Sequence, residues 1–127
     1  MKLGYTILYV HDVKATLAFY GAAFGLNTRF LHEGGDYGEL DTGSTTLAFS
    51  SYTLMRELGK NPQHADAHTP CFEIALCTTD VPAALQRAIA AGAQAMRPVE
   101  TMPWGQTIAY VADINGFLVE LCTPVGG

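Results

Sequence analysis

Two glutamates interrupt runs that are otherwise apolar. Glu73 lies in Phe72-Glu73-Ile74-Ala75-Leu76, and Glu120 in Phe117-Leu118-Val119-Glu120-Leu121. An ionised carboxylate buried without a partner is expensive, so acids in strand-like runs ask for an explanation. If the two are neighbours, mutual repulsion should raise the pKa of one, and the pair becomes usable as a general base or a cation anchor. The alternative is that each is solvated at a cavity mouth, or bonded to backbone, to a tyrosine, or to Arg29 or Arg97. Trp104, between Pro103 and Gly105-Gln106, falls in a hairpin, where a lone Trp either caps the core or walls a ligand. Tyr37 and Tyr110 are weaker candidates for the same wall.

Other chemistry-bearing residues carry less. His64 and His68 are four apart, a spacing that on a helix would place both on one face. Pro62 and Pro70 argue against a stable helix there, and a metal site also needs a third ligand. His11 precedes a helix cap and His32 adjoins Glu33-Gly34-Gly35; both read as surface residues. Phe49, Tyr52 and Met55 suit a lid or a chain contact, with core packing the plainer fate for Phe49. The three cysteines, Cys71, Cys77 and Cys122, are odd in number and lack a CxxC spacing, so reduced thiols in the cytosol are expected. Cys77 and Cys122 fall in strand-like runs, where buried, inert thiols are anticipated.

The elements that would position these residues come from an internal repeat. Leu8-Tyr9-Val10-His11-Asp12-Val13 overlays Leu76-Cys77-Thr78-Thr79-Asp80-Val81 at an offset of 68. Each run stops at an Asp able to accept from the free N–H groups of a first helical turn, and an Ala-rich stretch follows. Gly25 and Gly92 then suit the position beyond a helix end. Val13, Leu17, Tyr20 and Phe24 form one apolar stripe, and Val81, Leu85, Ala88 and Ile89 form another. Three strands are expected after each helix: Asn27–His32, Asp36–Asp41 and Thr45–Ser50, then Gln94–Arg97, Gln106–Val111 and Phe117–Thr123. The polar stretch from Tyr52 to Pro70 reads as a connector, with a helical turn at Leu54–Leu58. The chain is thus an α+β domain spanning 1–127, of two βαβββ modules, 1–51 and 71–127, joined by residues 52–70.

Composition bounds the function. The 127 residues are 49% hydrophobic and 15% charged, a globular balance. A net charge of −5, with only seven Lys and Arg residues, speaks against nucleic acid. The opening run MKLGYTILYV is too short to span a bilayer and is broken by His11-Asp12, so no membrane role is expected and a cytoplasmic location is.

The duplicated pattern, with the closing phrase Asp113-Ile114-Asn115-Gly116-Phe117-Leu118-Val119-Glu120-Leu121, resembles the vicinal oxygen chelate superfamily of glyoxalase I, bleomycin-resistance proteins and extradiol dioxygenases. The resemblance covers essentially the whole chain. It implies cupped mixed sheets around a cavity, helices on the outer face, and commonly a homodimer. Metal-dependent relatives draw ligands from the first and last strands of each module. Here those positions fall at Tyr5, where the family most often has His, at Ala48, where glyoxalases carry a carboxylate, and at Glu73 and Glu120. Two carboxylates and one phenol are hard oxygen ligands that suit Mg²⁺ or Mn²⁺ rather than Zn²⁺ or Fe²⁺, but three oxygens with no imidazole bind weakly, so no metal is assigned; if Mn²⁺, Mg²⁺, Ni²⁺ or Zn²⁺ binds, Glu73 and Glu120 hold it. Strand alternation places Tyr5, Ile7 and Tyr9, Thr46, Ala48 and Ser50, Glu73, Ala75 and Cys77, and Leu118, Glu120 and Cys122 on the cavity face. Expected ligand contacts are Tyr5, Ile7, Ala48, Ser50, Glu73, Trp104 and Glu120, with Glu73 and Glu120 the candidates for any catalysis. The function implied is metal-independent binding of an antibiotic or another aromatic or cationic small molecule. The alternative is a divalent-metal lyase, isomerase or dioxygenase using the same carboxylates.

Overall fold

Asp12 and Asp80 set the two main helices in place, as a computed structural model covering residues 1–126 shows. The Asp12 side chain accepts from the Ala15 N–H at 3.0 Å and starts α1 (Val13–Phe24). That of Asp80 accepts from Ala83 at 3.1 Å and starts α3 (Val81–Ala90), with Pro82 in the first turn, where no N–H is needed. Gly25 closes α1 in the left-handed conformation. The remaining elements are β1 (Tyr5–Val10), β2 (Thr28–Leu31), β3 (Tyr37–Leu40), β4 (Thr46–Ser51), a short α2 (Tyr52–Glu57), β5 (Ile74–Cys77), β6 (Gln94–Thr101), β7 (Thr107–Ala112) and β8 (Leu118–Cys122). The α+β pattern of two βαβββ modules is therefore the observed one. Two compact units divide between His64 and Ala65, within the expected connector.

Each unit holds a four-stranded mixed sheet, ordered β1-β4-β3-β2 in the first and β5-β8-β7-β6 in the second. The first and last strands of a module pair in parallel, and the others are antiparallel. Leu8 faces Phe49 in the first sheet and Leu76 faces Leu121 in the second. The offset of 68 between β1 and β5 thus requires 72 between β4 and β8, so Ala48 and Glu120 occupy equivalent places.

In the first unit Val10, Val13, Tyr20, Leu40 and Phe49 are fully buried between α1 and its sheet. Phe19, Tyr20 and Phe24 pack edge-on or tilted, though Phe24 itself is only half-buried. Gly38 in β3 faces α1: a Cβ there would stand 2.7 Å from Leu17 Cδ1 and 3.1 Å from Val13 Cγ1. Tyr52 and Met55 of α2 are buried, as is Phe49, so these three are core residues. In the second unit Val81, Leu85 and Ala88 cover Val111, Val119 and Leu121. Ile89, expected in that stripe, is exposed, because it falls one residue round the helix from Ala88.

Two further expectations are corrected. β6 runs on to Thr101, past the expected end at Arg97. Pro98 cannot donate to a ladder, but β6 is an edge strand whose register shifts between Arg97 and Glu100, and an edge tolerates it. Cys77 is exposed and not buried.

The Asp113-to-Gly116 turn between β7 and β8 is fixed from both sides. Asp113 is buried and its carboxylate accepts from the Asn115 and Phe117 N–H groups at 2.8 and 2.9 Å. Gly116 has φ +89°, and a Cβ on it would stand 2.5 Å from the Ala65 carbonyl oxygen. Gly116→Ala therefore combines a strained φ with a backbone clash, and should cost about 1–3 kcal/mol or more. Urea unfolding followed by circular dichroism will show the lowered midpoint.

Candidate functional site

Glu73, one residue before β5, and Glu120, in β8, are brought together in the second unit by a third residue, Tyr110 of β7. Tyr110 and Glu120 face each other across β7 and β8. The phenol oxygen lies 2.8 Å from Glu120 Oε2 and 3.3 Å from Glu73 Oε2. A phenol has a single proton to donate, and the shorter distance gives it to Glu120. Burial of Tyr110, then its bond to Glu120 and the charges of both glutamates, drive its phenol pKa well above the usual range. Among the described residues no Lys or Arg stands within ion-pair distance of Glu73 or Glu120. Arg29 pairs instead with Glu39 at 3.0 Å, and Arg97 with Glu100 at 3.2 Å.

Glu73 and Tyr110 open onto a pocket of about 410 Å³. Leu118 and Met96 give it apolar walls, Arg97 stands on the β6 side, and Ala67 and His68 close it from the segment before β5. His68 thus reaches the site without His64, whose ring packs 4.5 Å from that of Tyr52 in the first unit. Neither histidine is on a helix. Trp104 lies outside this lining; it is 63% exposed, and its Nε1 donates to Gln106 Oε1 at 2.8 Å within its own hairpin.

The first unit shows what the same framework looks like with its charge compensated. Tyr5 and Ile7 are exposed on the edge strand β1, while Ala48 and Ser50 are buried on β4. Opposite Ala48, on β3, stands Glu39, a carboxylate that sequence reading passed over. Its Oε1 accepts from Arg29 Nη2 at 3.0 Å and its Oε2 from the Tyr37 hydroxyl at 2.7 Å, while the same Arg29 nitrogen reaches Thr46 Oγ1 at 3.0 Å. Glu39 is only 12% exposed. Burial and the adjoining Glu39 push the Tyr37 phenol up to about 12. A β2 irregularity between Thr28 and Phe30 lets Arg29 turn to this face. The signal available in sequence was the Tyr37-x-Glu39 alternation.

Among the described residues, no three His, Cys, Asp or Glu side chains converge closely enough to hold a metal ion. The donors at the expected positions are split between a phenol and an alanine in one unit and two carboxylates bridged by a phenol in the other, a set of oxygen donors too few to hold a divalent ion firmly. No described helix is long and apolar enough to cross a membrane.

Residues 2–121 match the Glyoxalase/Bleomycin resistance protein/Dioxygenase superfamily. The chain belongs to that superfamily. Solved structures of similar fold include a glyoxalase-related enzyme from Fulvimarina pelagi, 24% identical, with 98% of this chain and 88% of that one aligned at a TM-score of 0.84. A glyoxalase/bleomycin resistance protein/dioxygenase family enzyme from Burkholderia phytofirmans PsJN is 19% identical over 97% and 98% of the two chains, with a TM-score of 0.81. TioX from Micromonospora sp. ML1 is 23% identical over 97% and 98%, with a TM-score of 0.73. No curated protein matches the chain by sequence. Within the superfamily fold, this member places its uncompensated carboxylates in the second module.

The compensated network in the first module has a pH signature. The Tyr37 phenol sits at about 12 in the folded chain against an ordinary value of 10.0. A raised pKa stabilises the fold fully below the unfolded value and is lost as pH rises through the folded one. Folding stability should therefore fall between about pH 10 and pH 12. In Tyr37→Phe the decline over that window should shrink, measured as urea midpoints across an alkaline pH series.

Proposed function

We propose that this member of the superfamily binds a cationic small molecule with aromatic character, without a metal ion, in the second-module pocket. The observation that carries the reading is a pair of carboxylates on one phenol with no ion-paired cation of their own, the Arg97 that also lines the pocket being engaged by Glu100 at 3.2 Å. A carboxylate without a cation of its own favours a partner of opposite charge. Glu73 is exposed to the pocket and is second in line for the Tyr110 proton, so it offers open lone pairs to an ammonium or guanidinium group. Glu120 and Tyr110 hold each other in place behind it. The Tyr110 ring, Met96 and Leu118 supply the π face and the apolar surface for the body of such a ligand. An antibiotic bearing an amine fits this description, and sequestration needs no chemistry beyond binding. A homodimer in the cytoplasm is the setting proposed for it; sizing chromatography with light scattering should return twice the chain mass.

A thermal-shift screen of amine-bearing aromatic compounds should give hits that calorimetry confirms. Glu73→Gln, which keeps the shape and removes the charge, should weaken them by about 10–100-fold, matching the roughly 1.5–3 kcal/mol of a charged hydrogen bond. Neutral isosteres of the hits should bind as weakly to the unmodified protein. A screen in which no cationic compound raises the melting temperature would sink the reading. Titration with Mn²⁺, Mg²⁺, Ni²⁺ and Zn²⁺ should give no heat. Stoichiometric metal, lost in Glu120→Ala, would replace the proposal with a metal-dependent lyase, isomerase or dioxygenase.

A further inference from the structure

Cys77 and Cys122 are the last residues of β5 and β8, and they face each other in register across that parallel pair. Facing residues on neighbouring strands have Cα atoms about 4.8 Å apart, inside the roughly 4.4–6.8 Å window that a disulfide spans. Side chains paired in this way leave the sheet on the same face. Cys122 leans toward the partner strand: its Sγ lies 3.8 Å from the carbonyl oxygen of Leu76, the residue before Cys77. β5 is a four-residue strand at the edge of its sheet, paired there with β8 alone, so it has freedom to close on its neighbour. The two thiols differ in access, Cys77 being exposed and Cys122 buried.

We infer that Cys77 and Cys122 form a reversible oxidation site, in which a peroxide oxidises Cys77 and Cys122 then closes a disulfide across β5 and β8. The difference in access fixes the order. The Cys77 sulfur attacks the peroxide; the O–O bond breaks, an S–O bond forms, and the departing oxygen takes the thiol proton to leave as water or an alcohol. Sulfur loses two electrons and the peroxide gains them. The Cys122 sulfur then attacks Cys77, the S–O bond breaks as the S–S bond forms, and the hydroxyl leaves as water with the Cys122 proton. Burial, with Cys77 and Glu120 adding to it, pushes the Cys122 thiol up to about 12, which agrees with the exposed Cys77 being the thiol that meets the peroxide first. The consequence is protective: an exposed thiol with no partner proceeds to sulfinic acid, whereas one with a partner stops at a bond that thiols reduce. Cys71, also exposed, lies outside β5 and has no such place in the register.

The test uses the full chain with Cys71→Ser, treated with hydrogen peroxide. The intact mass should fall by two hydrogen atoms, non-reducing peptide maps should join the Cys77 and Cys122 peptides within one chain, and dithiothreitol should restore both thiols. Cys77 carrying two added oxygens beside a free Cys122 thiol would overturn the inference, as would a bond joining two chains. This measurement alters neither cysteine, so it does not depend on a variant folding. In the same background, Cys122→Ser should send Cys77 to sulfinic acid that dithiothreitol cannot reverse; an unchanged, reducible product would overturn it equally.

Discussion

The parallel pairing of first and last strands governs everything else in this chain. A strand that returns beside its own starting strand in the same direction needs a crossover, and here α1 and α3 supply it. Once β1 lies beside β4 and β5 beside β8, side-chain alternation decides which residues meet. Leu8, Val10, Leu47 and Phe49 go to the helix side of one sheet, and Val119 and Leu121 to that of the other. Glu73, Glu120 and Cys122 are left on the opposite face, with Tyr110 delivered to them by the antiparallel neighbour β7. A slip of one residue in β8 would turn Glu120 into the core and Val119 out of it.

The same framework treats acid in two ways. In the first module the carboxylate has moved one strand over, to Glu39, and is satisfied by Arg29 and Tyr37. Ala48 fills the equivalent of Glu120 with a methyl group. In the second module the acids remain at the strand positions and share a single phenol. A self-neutralised network holds shape; an uncompensated one leaves free energy to be recovered by something that binds. That contrast, made within one chain on sheets of the same strand order, is what directs the proposed binding to the second module.

Much of this was legible in the residues. The helix caps, the six strands after the helices and the offset of 68 follow from local chemistry, since Asp caps, turn glycines and apolar alternation act over a few residues. The two glutamates were visible because they break that alternation. What escaped was set by partners far along the chain. Tyr110 could be named as a wall but not as the bridge, because that depends on the pairing of β7 with β8. Arg29 was a possible partner for the wrong glutamates, since a local irregularity in β2 decides which way it turns. Cys77 read as buried because its neighbours are apolar, yet an edge strand exposes one face whatever its composition. The strand expected to end at Arg97 continues past Pro98 because β6 has a free side, a property of sheet order and not of local sequence.

The Arg29–Glu39 pair has a bearing on how the chain meets its ionic surroundings. A largely covered carboxylate tied to its own cation presents little field to solvent, so the Glu39 site depends little on dissolved salt. Among the described residues of the second module, Glu73 and Glu120 form no ion pair, on a chain that is acidic as a whole with a net charge of −5. They must gather counter-ions from solution, and at about 0.15 M salt that atmosphere extends over roughly 8 Å. Two acid sites built from one repeat therefore differ in their dependence on the medium, and the pocket lies beside the one that responds to it.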